Sequence, residues 1–247
     1  MSEVSVATVF FAALVTALAT GLGALPLLAV RDSGRQALGV ANAAASGVMV
    51  GASVSLILEA IDRSTWRTVA GVLAGVAFIV LASRYLHGHP RDLALGALRG
   101  EDAVKGLLIV AVMTVHSVAE GVGVGAAFGG SETLGILIAV AIAVHNIPEG
   151  LAISLVLVPR GTSVPTAAGW SIFSSLPQPL LAVPAFLFVD AFEGILPAAL
   201  GFAGGAMIWM VARELLPEAL EQASRRLVIA TATASFAAMM AFQAVLL

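Results

Sequence analysis

Residues 133–158 read TLGILIAVAIAVHNIPEGLAISLVLV. As a helix rising 1.5 Å per residue, a run of this length spans roughly 39 Å, more than the ~30 Å hydrocarbon core of a bilayer. The only ionisable side chains in it are His145 and Glu149, near its middle. A run so apolar and so long predicts a membrane span, and its two ionisable groups predict work at mid-depth.

The rest of the chain repeats the pattern. Of its 247 residues 60% are hydrophobic and 11% charged, against about 45–50% and about 25% in soluble domains, so water is not its main solvent. Apolar runs between charged or turn-rich breaks place eight spans near 4–30, 37–61, 66–86, 103–128, 133–158, 166–189, 195–216 and 227–247. The fold class predicted is an all-α integral membrane protein of eight transmembrane helices, a single transmembrane domain over residues 1–247. Its one long connection, 87–102, holds His87, His89, Pro90, Arg91 and Asp92. Met1-Ser2-Glu3-Val4 lacks the basic start of a cleavable signal, so the first run is expected to remain as a helix. The 25 glycines are read as helix-packing positions. With no cysteine there is no disulfide framework, thiolate metal site or cysteine nucleophile. The net charge of -3, without a basic cluster, leaves no nucleic-acid partner to expect.

Basic residues orient the bundle, because cytoplasmic loops retain Lys and Arg. Alternating sides puts Arg31, Arg35, Arg84, Arg91, Arg99, Lys105, Arg160, Arg225 and Arg226 on one side and Arg63 and Arg67 on the other, with Arg213 near the end of span seven. Both termini are therefore expected outward and loop 87–102 in the cytoplasm, in a cell (plasma or inner) membrane. The outer loops carry Glu59, Asp62, Glu132, Asp190 and Glu193, either as a cation-gathering rim or as ordinary loop solvation.

Span four contains His116-Ser117-Val118-Ala119-Glu120-Gly121 and span five contains His145-Asn146-Ile147-Pro148-Glu149-Gly150. Both read His-x-x-x-Glu-Gly, and i, i+4 spacing puts each His and Glu on one helix face. The two motifs fall near the bilayer centre of antiparallel neighbours and can face each other there. Ionised carboxylates at that depth cost several kcal/mol each, and the nearest basic residues of these spans, Lys105 and Arg160, lie at their ends. A bound cation is the natural compensation. Imidazole with carboxylate suits zinc, iron, manganese, cobalt or cadmium better than magnesium or calcium; a proton relay is the competing reading.

Pro148 removes a backbone donor in mid-helix and is expected to free the carbonyl of Val144. In span six, Ser174-Ser175-Leu176-Pro177-Gln178-Pro179 predicts a broken helix with a polar group at depth. Gln178 there can ligate through its carbonyl oxygen or bond the freed backbone. In span two, Met49 offers a thioether or simply packs.

On these residues the chain resembles the ZIP (Zrt/Irt-like) family of divalent metal transporters. His145-Asn146-Ile147-Pro148-Glu149-Gly150 matches that family's most characteristic motif, and His116-Ser117-Val118-Ala119-Glu120-Gly121 is similar to its span-four partner. The resemblance implies a homodimeric importer with its metal site between helices 2, 4, 5 and 6. One position would use His116, Glu120, His145 and Glu149, with Met49; a second, bridged by Glu120 and Glu149, would use Asn146 and the span-six position. The family's span-four motif commonly has Asn where this chain has Ser117, and bacterial members often have Glu where it has Gln178, so one firm site and one weak or absent site are expected. Glu214 and Glu218 resemble an acidic exit, with solvated helix ends as the alternative, and His87 and His89 a short form of the family's His-rich loop. The expected cargo is zinc above all, with no prosthetic group. The rival from another class, an intramembrane metal hydrolase, lacks a His-Glu-x-x-His or Gly-x-Ser-x-Gly motif, and a proton-coupled carrier of organic solutes leaves the paired motifs unexplained.

Overall fold

The computed structural model describes residues 4–28, 34–88, 100–191 and 193–246. His89 and the side chains of His87 and Glu214 lie outside the described residues, so the readings placed on them stand as expectations. Among the described residues ten α-helices follow one another: α1 (Val6–Leu22), α2 (Arg35–Arg63), α3 (Thr65–Gly88), α4 (Gly100–Gly130), α5 (Glu132–Leu157), α6 (Val164–Ser175), α7 (Pro177–Ala191), α8 (Leu196–Met210), α9 (Leu216–Gln222) and α10 (Arg225–Leu246). Among the described residues there is no strand.

Local chemistry sets several of the ends. Ser5, Ser131 and Ser163 each cap a helix by accepting from the backbone N–H three residues on, at 3.0, 3.1 and 3.3 Å, which satisfies a donor the first turn leaves free. Span six is broken as its prolines require. α6 ends at Ser175, Leu176 turns, and α7 starts on Pro177, whose missing N–H costs nothing in a first turn. Span seven carries a break of another kind, a π-helical segment over Val211–Leu215 between α8 and α9. Pro217 follows it, and a proline cannot donate to the carbonyl four residues earlier, that of Arg213; widening the helix just before it absorbs the defect. Pro148, by contrast, lies inside α5, which stays helical through it.

Among the described residues seven stretches are long and apolar enough to cross a membrane: Val6–Leu28, Arg35–Arg63, Ile109–Gly130, Glu132–Arg160, Val164–Val189, Leu196–Gln222 and Arg225–Val245. The apolar stretch described in α3, Thr65–Leu81, is shorter. Large apolar side chains including Phe11, Leu73, Leu81 and Leu180 face outward, the arrangement a hydrocarbon solvent favours, since helices keep their backbone hydrogen bonds internal. The protein is a multi-pass helical membrane protein.

Two apolar layers fill the interior. One gathers Leu56, Val124, Phe128, Ile138, Ile142 and Leu200; the other gathers Met49, Val110, Met113, Ile153, Met210 and Leu215. Along α4 the first layer begins after Glu120 and the second ends before His116; along α5 they end before His145 and resume after Glu149. A polar layer therefore lies between two apolar ones, formed by α4 and α5 with α7 and α1 against them.

Candidate metal centre

His116, Glu120, His145 and Glu149 are fully buried and converge, as their spacing predicts. One ligand atom from each lies within 4.8 Å of all the others. A tetrahedral ion with bonds of ~2.1 Å holds its ligand atoms ~3.4 Å apart, so modest side-chain rotation brings the four into its reach. Two contacts are already close: His145 Nε2 to Glu120 Oε1 at 2.5 Å and His116 Nε2 to the same oxygen at 3.2 Å. The first has hydrogen-bond geometry; the second does not, and neither nitrogen of His116 has a hydrogen-bond partner. His145 Nδ1 and both carboxylate oxygens of Glu149 are also without one. Among the described residues no Lys or Arg is paired with either glutamate. Buried polar atoms are nearly always hydrogen-bonded, so this many unpaired donor atoms around one point fit a cation-binding centre.

Gln178 enters this layer from the first turn of α7. Its amide nitrogen donates to Glu120 Oε2 at 2.5 Å, while its Oε1 accepts from Asn146 Nδ2 at 3.2 Å and lies 2.5 Å from Thr16 Oγ1. Both ends of Gln178 are thus engaged by side chains rather than by the backbone freed at the helix break. Asn146 Nδ2 also donates to the Thr16 carbonyl at 2.7 Å, leaving Asn146 Oδ1 without a partner. Ser117 is fully buried with no partner for its hydroxyl. Met49, also fully buried, sits in the apolar layer with Met113 and Ile153. Glu218 lies away from the centre, within reach of Gln222 Nε2 at 3.0 Å, and Gln222 in turn is 3.4 Å from Asn42 Nδ2.

Sequence reasoning did not single out α1, yet α1 supplies Thr16 to the Gln178 and Asn146 network and Thr20 to Ser175 at 2.8 Å. Their i, i+4 spacing puts Thr16 and Thr20 on one face of α1, but their burial comes from the packing of that face. Glycine lets α1 come this close. A Cβ on Gly150 would collide with the backbone carbonyl of Thr20, and one on Gly121 would lie 2.8 Å from the backbone oxygen of Gln178. The glycines ending both motifs therefore serve close helix contact.

A polytopic helical bundle with two histidines and two glutamates buried at its centre defines a membrane protein with a cluster that could hold a metal ion. Comparison with known proteins agrees: the ZIP zinc transporter family model matches residues 95–244. The chain is 34% identical over 223 residues to the zinc transporter GufA of Myxococcus xanthus, covering 84% of this chain and 86% of that one. It is 47% identical over 242 residues to the "Putative zinc transporter" of Arabidopsis thaliana, covering 96% of this chain and 39% of the plant protein. The chain belongs to the ZIP family. Membership of a family of transporters sets aside the hydrolase alternative.

Proposed function

We propose that the protein carries divalent transition-metal ions, zinc foremost, across a cell membrane toward the cytoplasm by alternating access around His116, Glu120, His145 and Glu149. The observation that carries this reading is the convergence of four buried ligand-capable side chains on one point between two apolar layers. Iron, manganese, cobalt and cadmium also suit these ligands. The names of the two relatives support zinc as first choice.

In this reading the whole chain is one membrane domain of eight spans, α3 crossing as the third. Nine basic residues against two set its direction: both termini outward, loop 87–102 cytoplasmic. The working unit is a homodimer in a plasma or inner membrane. Outer carboxylates gather a hydrated ion, which exchanges water for imidazole and carboxylate at mid-depth. The apolar layers on either side of the centre act as the two gates, and transport consists of opening them in turn around a fixed site. Gln178 holds Glu120 Oε2 by its amide, so Glu120 has one oxygen left for an ion. One metal position with Glu149, the two histidines and Glu120 Oε1 is the arrangement this favours, with Asn146, Ser117 and Met49 beside it.

Zinc and cadmium uptake into proteoliposomes tests the proposal. The native protein is expected to accumulate metal, and His145→Ala and Glu149→Ala to lose more than ~100-fold of that uptake, since even residues that only orient ligands are worth 10–100-fold. Binding without uptake by the native protein would sink the transporter reading. Imidazole and carboxylate bind metal only when deprotonated, so preloaded metal should leave faster as the pH is lowered. Release rates independent of pH would count against ligand protonation as the ejecting step.

A further inference from the structure

The π segment of span seven sits inside the second apolar layer. The Leu216 N–H donates to the Val211 carbonyl, five residues back instead of four, so the span carries one residue more than a continuous α-helix would. Around it Met210, Val211 and Leu215 face inward, 1, 4 and 1% exposed and all part of that layer, while Ala212 and Arg213 are exposed. At 3.6 residues per turn, one residue amounts to about 100° of rotation and 1.5 Å of rise. The extra residue therefore sets which side of α9 meets the bundle.

The two helices joined by this segment are held differently. α8 is clamped by close backbone contact: a Cβ on Gly201 or Gly205 would stand 2.5 Å from the carbonyl oxygen of Thr68 or Val72 on α3, and one on Gly204 would stand 3.1 Å from that of Ser53 on α2. α9 is seven residues long and lies between two breaks in regular helix, the π segment and Ala223, whose backbone is extended at φ -136° and ψ 162°. Its inward residue is Ala219, fully buried with Ala43 of α2 and Val228 of α10. In the sequence a carboxylate precedes each inward position, Glu214 before Leu215 and Glu218 before Ala219. Passing the extra residue on to the break at Ala223 would turn α9 by one position, so that Glu214 takes the place of Leu215 and Glu218 that of Ala219. A glutamate does not fit where Ala219 packs on Ala43, so α9 turned in this way also has to step away from α2.

We propose that the π segment is a register switch for this layer. In one register Leu215 and Ala219 face inward and the layer is closed. In the other, span seven is a continuous α-helix, α9 has turned by one residue and left α2, and carboxylates stand where Leu215 and Ala219 stood. Packed helices favour a discrete step of this kind over gradual bending, because close-packed interfaces have a few distinct arrangements. The proposal rests on the reading of the protein as a carrier with two gates, and it names the moving part of the cytoplasmic one.

The chain has no cysteine, so pairs of introduced cysteines read the register directly. With the full chain in proteoliposomes and diamide as oxidant, the Ala43→Cys, Ala219→Cys pair should crosslink and stop metal uptake until it is reduced. The Ala43→Cys, Glu218→Cys pair should crosslink as well, because Glu218 visits the place of Ala219. Ala43→Cys with Leu220→Cys, turned the other way, should not. Deletion of Ala212 takes away the residue that has to be passed on. It should abolish the Glu218→Cys crosslink, leave the Ala219→Cys crosslink, and lose uptake while zinc binding, measured by competition with a chelator, is kept. A Glu218→Cys pair that never crosslinks, a Leu220→Cys pair that crosslinks equally well, or native uptake after deletion of Ala212 overturns the register switch. If the shortened chain fails to bind zinc, the crosslinks in the full-length chain decide. Those crosslinks are read without transport, so a protein that crosslinks as expected and accumulates no metal sinks the carrier reading alone.

Discussion

The two His-x-x-x-Glu-Gly motifs are alike in sequence and unlike in the folded protein. Glu120 on α4 is held from several sides: His145 and His116 approach one oxygen and the Gln178 amide donates to the other. Glu149 on α5 is equally buried, yet neither of its oxygens has a partner. A duplicated motif has thus been divided into a positioned carboxylate and an unengaged one. The difference comes from α7 and α1, which bring Gln178 and Thr16 to one side of the layer. The lesson is that a ligand's readiness depends on which neighbours have already claimed its lone pairs, and motif spacing does not reveal that.

The sharpest way to break this contrast is at Gln178. Gln178→Glu replaces the amide donor with a second carboxylate beside Glu120, and metal bound at saturating cadmium should rise from one to two ions per chain, counted by elemental analysis. Two fully occupied ions bridged by Glu120 and Glu149 in the unaltered protein would refute the single-position reading. A smaller and more discriminating effect is expected on the stability of the metal-free protein, followed by thermal unfolding in detergent. Glu120→Ala strands the Gln178 and His145 donors and should cost about 2 kcal/mol, whereas Glu149→Gln removes an unpartnered buried carboxylate and should stabilise by about 1 kcal/mol. Unfolding temperatures that move in the same direction would show the two carboxylates to be equivalent. The smallest effect belongs to Thr16→Val, which takes one hydrogen bond from Gln178 at about 1 kcal/mol and should weaken zinc binding about fivefold, measured by competition with a chelator.

Much of this was legible in the sequence because a bilayer imposes few solutions. Apolar runs of about twenty residues must be helices there, and ionisable groups at mid-run must meet partners, so the helical class and the clustering of His116, Glu120, His145 and Glu149 followed from position alone. The break at Leu176 was legible from Pro177 and Pro179. The π segment at Val211–Leu215 was not, because Pro148 and Pro217 look alike in a sequence; α5 stays helical through one, and the helix before the other widens. Thr16 and Thr20 passed unremarked because threonine is tolerated in any membrane helix and nothing local distinguishes one that reaches across to Gln178.

The sequence by itself therefore determined the solvent, the helical class and the four ligand-capable groups at one depth, since these rest on length, hydropathy and helical period. Only the tertiary structure decided which carboxylate is engaged, where Gln178 directs its amide, and that the Arg67 guanidinium lies over Gly194. Those outcomes depend on contacts between helices far apart in the chain, such as Thr20 against Gly150 and Arg67 over Gly194, and close approach of that kind is set by packing of whole helices that no local pattern encodes.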